Sequence, residues 1–100
     1  MPNLKFTVPH PLSQEDAVKK VVDLMPHVQQ RAGNMVSNLK GDMKDNRLDF
    51  SFTSMGFDIK GNLLVESNLC TVDVTLPFAA MLAKGKIESM IKDELGKLLK

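Results

Sequence analysis

Residues 47–76, RLDFSFTSMGFDIKGNLLVESNLCTVDVTL, decide the fold. Leu48, Phe50 and Phe52 alternate with Arg47, Asp49, Ser51 and Thr53, the period of a half-buried strand. Met55-Gly56 interrupts the run, and Phe57, Ile59, Leu63 and Val65 resume it on one face. Gly61 falls among them, where a bulge or a close backbone approach is expected. Ser67-Asn68 turns the chain again, and Cys70, Val72, Val74 and Leu76 make a third alternating strand. Strands joined by such short turns pair antiparallel.

Upstream, Leu4–Val8 alternates in the same way and meets Pro9 and Pro11. Ser13 with Asp16 three residues on is a near-capping box. Ala17, Val18, Val21, Val22, Leu24, Met25 and Val28 then share one helical face, with Lys19, Asp23, His27 and Gln30 opposite. Pro26 must kink or break this helix, because it removes a backbone donor. Gly33-Asn34 reads as a left-handed stop, Met35–Met43 as a weak strand, and Lys44-Asp45-Asn46 as a turn. Ile87, Met90, Ile91, Leu95 and Leu98 form the apolar stripe of a final helix.

The expected order is β-α-β-β-β-β-α in a single domain over residues 1–100. The fold class is α+β, a two-layer sandwich with two helices on one face of an antiparallel five-stranded sheet. Strands about 4.8 Å apart give a sheet roughly 20 Å wide, which two helices about 10 Å apart nearly cover. The other face carries Lys5, Asp49, Ser51, Thr53, Asp58, Lys60, Thr71, Asp73 and Thr75, and stands in water.

Composition excludes several function classes. Thirteen basic against twelve acidic residues leave a formal charge of +1, without the basic excess of a nucleic-acid binder. Tryptophan and tyrosine are absent, which removes the usual base-stacking platforms. The N-terminal residues lack the pattern of a signal peptide, and no apolar run is long enough for a transmembrane segment, so a cytoplasmic, soluble protein is expected. Cys70 is the only cysteine and sits at an apolar strand position, where it acts as a small hydrophobe. His10 and His27 are unpaired in sequence, so no metal and no cofactor is expected. Asp49, Asp58 and Asp73 share an open sheet face, where cross-strand charge pairing explains them better than acid–base chemistry. No catalytic residue is assigned, and an enzyme is not expected.

The apolar residues offer two candidate binding groups. On a continuous helix over 78–98, Phe78 lies about 180° from the centre of the buried stripe, with Met81 and Leu82 more than 100° off. Either the chain bends near Gly85, or Phe78, Met81 and Leu82 face a partner or an apolar surface. The second group is a cleft between helices and sheet lined by Phe50, Phe52, Met55, Phe57 and Met90. Seven methionines suit either core filling or a surface that accepts varied apolar partners.

Three strings, FTVPHPLSQEDA (6–17), FSFTSMGFDIKGNLLVE (50–66) and TLPFAAMLAKGKIESMIKDEL (75–95), resemble the polyhydroxyalkanoic acid system protein family over roughly residues 4–99. These are small bacterial proteins connected by genomic context with polyhydroxyalkanoate granules. The resemblance implies a non-enzymatic accessory protein, with the granule surface or granule proteins as partners and no active site to carry over. A small hydrophobic-ligand-binding domain and a self-associating module, a homodimer through a sheet edge or the Met-rich surface, are the alternatives. The element order is also similar to a shortened helix-grip or TATA-binding-protein-like half, an analogy of fold alone.

Overall fold

The computed structural model describes residues 3–32, 36–54 and 56–99. Five strands, β1 (Asn3–Pro9), β2 (Ser37–Lys44), β3 (Arg47–Ser54), β4 (Phe57–Glu66) and β5 (Leu69–Thr75), form one antiparallel sheet in the order β1-β5-β4-β3-β2. Helices α1 (Gln14–Val21), α2 (Leu24–Ala32) and α3 (Lys84–Leu98) lie against it, α1 on β4, α2 on β2 and α3 on β1. The fold is an α+β two-layer sandwich.

Alternation in the sequence becomes burial in the structure. Cys70, Val72 and Val74 of β5 and Ile59, Leu63 and Val65 of β4 are buried, whereas their strand neighbours are not. Three tight turns rest on left-handed backbone. Asp45 (φ 53°) turns β2 into β3, Gly56 (φ 81°) turns β3 into β4, and Asn68 (φ 66°) turns β4 into β5. Gly61 faces Phe50 and Val74 across the sheet, and the Phe50 ring closes over the space its side chain would fill. Phe50 also stacks on Phe52, with centroids 6.1 Å apart.

The first helical region breaks rather than kinks. A proline ring clashes with the carbonyl four residues earlier, which for Pro26 is that of Val22. The chain accordingly leaves the helix at Val22-Asp23 and restarts at Leu24, placing Pro26 in the first turn of α2, where its missing N–H costs nothing. Val22, expected in the apolar stripe, is 59% exposed because it now caps α1. Ser13 Oγ accepts the N–H of Asp16 at 3.2 Å and caps the other end. The expected stop at Gly33-Asn34 and the start of the second strand at Met35 lie outside the described residues.

His10 staples the β1–α1 corner to the β4–β5 turn. Its Nε2 donates to the Glu66 carbonyl at 2.9 Å while its Nδ1 accepts the Leu12 N–H at 3.1 Å, which assigns the Nε2–H tautomer. The backbone of His10 and Leu12 pairs with Asn68 as well. Both ring nitrogens are used by this staple.

Candidate functional site

The C-terminal corner begins where Leu76, fully buried, follows the last strand and Pro77 caps a 3-10 helix over Phe78–Ala83. Three residues per turn divide this segment into stripes. Ala80 and Ala83 turn inward, Ala80 with no exposed surface, and Met81 is half-buried against the core. Phe78 is 84% exposed and Leu82 fully so. The one fully buried side chain of the segment is thus the small Ala80, while Phe78 and Leu82 stand outside, the reverse of what burial favours. Hiding a phenylalanine and a leucine would stabilise by about 1.5–3 kcal/mol each, so the fold forgoes several kcal/mol here. Exposed Lys84 and Lys86 stand beside this pair.

The two arrangements expected for this stretch are not mutually exclusive. The helix type changes at Ala83-Lys84, beside Gly85, yet that break does not bury Phe78 or Leu82. The inward stripe uses the alanines instead.

The second group lies between the layers. Phe50 and Phe52 of β3, Met90 and Leu95 of α3, and Leu24 and Val28 of α2 line a cavity of about 60 Å³ whose wall presents only apolar atoms. Phe57 is half-buried against the core but does not line it, and Met55 lies outside the described residues. At the seam between α2 and α3, His27 Nε2 approaches Glu94 Oε2 to 3.0 Å. The two atoms are buried and lack hydrogen-bond alignment, so the contact is electrostatic proximity rather than a formed hydrogen bond. Reading α1 and α2 as one continuous wheel put His27 on the solvent face. The break at Val22-Asp23 resets the phase and turns it toward α3.

The remaining polar candidates are buried, paired or kept apart by the sheet. Burial, and secondarily the charge of Glu66, push the Cys70 thiol from 9.0 up to about 11, which leaves it protonated and unreactive at neutral pH. Asp49 and Asp73 are separated by Asn62 in the register, about 9–10 Å apart at two strand spacings. Asp49 accepts from Nε and Nη2 of Arg47 on its own strand, at 3.2 and 3.1 Å, and Asp58 accepts the Thr53 hydroxyl at 2.8 Å. Among the described residues no group of three His, Cys, Asp or Glu converges as a metal site, and no helix is long and apolar enough to cross a membrane.

No curated protein matches the chain. Among solved structures it is similar to the crystal structure of TTHA0849 from Thermus thermophilus, at 14% identity and a TM-score of 0.47, over 98% of this chain and 92% of that one. Residues 4–99 match the sequence model of the family described as "Putative polyhydroxyalkanoic acid system protein". These residues include all three strings that carry the resemblance, and the chain belongs to that family.

Proposed function

We propose that the protein is a non-enzymatic accessory of polyhydroxyalkanoate storage that attaches to the granule through Phe78 and Leu82. The observation that carries this reading is their exposure, 84% and complete, on a turn that fully buries only Ala80. A granule presents hydrophobic polymer beneath a thin coat, and an apolar pair flanked by lysines suits such an interface. The rings and branches enter the apolar layer while Lys84 and Lys86 stay at its anionic rim. Met81, half-buried, contributes from behind. The non-enzymatic reading is supported by how the polar candidates are used: His10 is spent on backbone, Cys70 keeps its proton, and the aspartates are spread along the sheet.

A fluorescent fusion in polymer-accumulating cells tests the proposal. The wild-type fusion is expected to ring the granules, and a Phe78→Ser/Leu82→Ser fusion to spread through the cytoplasm. Equal ringing by both overturns the assignment of the patch. Should the purified wild type instead scatter light as a dimer and the double variant as a monomer, the patch is a homodimer interface.

A further inference from the structure

We propose that the cavity between α2, α3 and β3 is a binding site for a short, unbranched aliphatic chain of about two or three carbons, independently of the granule patch. Its size sets the length. A six-carbon benzene ring occupies a cavity of roughly 150 Å³, on the order of 25 Å³ per carbon, so about 60 Å³ accommodates two or three carbons. The same comparison excludes aromatic ligands. Water is disfavoured as the resident, because a buried water needs two to four polar partners and, among the described residues, the wall exposes no polar atom, Glu94 lining it without presenting its carboxylate.

The layers around the cavity explain why it is not simply collapsed. Gly61 cannot gain side-chain volume, since a Cβ there would lie 2.6 Å from the Asp73 carbonyl oxygen, and Phe50 is drawn over Gly61 to fill that space. Phe52, stacked on Phe50, is held with it. Opposite them, α2 is a nine-residue helix detached from α1 by the Pro26 break, and its one ionic contact with α3 among the described residues is the unaligned His27–Glu94 pair. The rigid wall is the sheet, and α2 is the element that yields to admit a chain. Half-buried Val28, Leu39 and Met90 form the rim, where a polar end of the ligand stays in water.

A titration of the whole protein with the straight-chain alcohols from methanol to 1-octanol, followed by the Met90 methyl and Phe50 and Phe52 ring resonances, tests this. Binding is expected to saturate, to tighten about fourfold per added methylene, and to level off beyond two or three carbons. Leu39→Phe, which fills the cavity from its rim, is expected to abolish the response, and Leu39→Ala to move the plateau one or two carbons longer. The amide spectrum of each variant reports that it is folded, and the two variants shift the result in opposite directions. Shifts that never saturate, that centre on Phe78 and Leu82, or that keep growing through eight carbons in all three proteins overturn the site.

Discussion

Gly61 holds its place by exclusion. A methyl at this position would meet the Asp73 carbonyl oxygen at 2.6 Å and the Phe50 ring at 2.9 Å, and the first of these is backbone of the neighbouring strand. Gly61→Ala is therefore expected to destabilise the protein by about 1–3 kcal/mol in urea unfolding. Little change would mean that β4 and β5 move apart freely. Cys70 makes a prediction of a different kind. Its thiol is held above its ordinary value, at about 11 against 9.0, so the folded chain keeps a proton that the unfolded chain releases. The sign follows: this contribution is complete below pH 9 and is lost as pH rises to about 11, a loss of about 2–3 kcal/mol. Lysines titrate in the same range, so the comparison is with Cys70→Val, whose unfolding midpoint should fall less steeply between pH 8 and 10.5. Parallel curves would contradict burial as the cause. The cysteine was legible from alternation alone. The approach of His27 to Glu94 was not, because nothing local in either helix encodes a contact between them.

Elements were legible to the degree that one residue's neighbours determine its role. The strands of 47–76 could be read directly, since each has one buried face and a period of two leaves no freedom of phase. The helices were harder. Pro26 announces a break, but the break appears four residues upstream, where the ring would meet the Val22 carbonyl, and everything beyond it turns to a new phase. The 3-10 segment was harder still. A wheel shows that Phe78 and Leu82 oppose the stripe of α3, and it does not show which group faces the sheet. The three-residue spacing of Ala80 and Ala83 was the available signal, since small residues let a turn sit close to the core. At this scale the cap is the cleanest test. Ser13→Ala removes the acceptor of the Asp16 N–H and should cost about 1 kcal/mol of stability, with Ser13→Asp recovering most of it. Equal losses in both would place the effect elsewhere than the cap.

For the whole molecule, the sandwich separates its surfaces by purpose. Its outer sheet face is polar, and its free edges are guarded by Lys5 and Pro9 on β1 and by Lys40, Lys44 and a register shift on β2. Among the described residues the large exposed apolar side chains are Val22, alone on α1, and the pair Phe78 and Leu82 at the corner after β5. Membership of a polyhydroxyalkanoic acid system family supplies the setting, and the exposed pair supplies the proposed means. Co-sedimentation with purified polyhydroxyalkanoate granules tests the link most directly, using Val22→Ser as the control for losing an exposed apolar residue elsewhere. Wild type and Val22→Ser should pellet alike, and Phe78→Ser/Leu82→Ser should bind at least about tenfold more weakly, since about 1.4 kcal/mol of lost burial already gives that factor. If all three proteins pellet equally, or none pellets, the corner is not the granule contact.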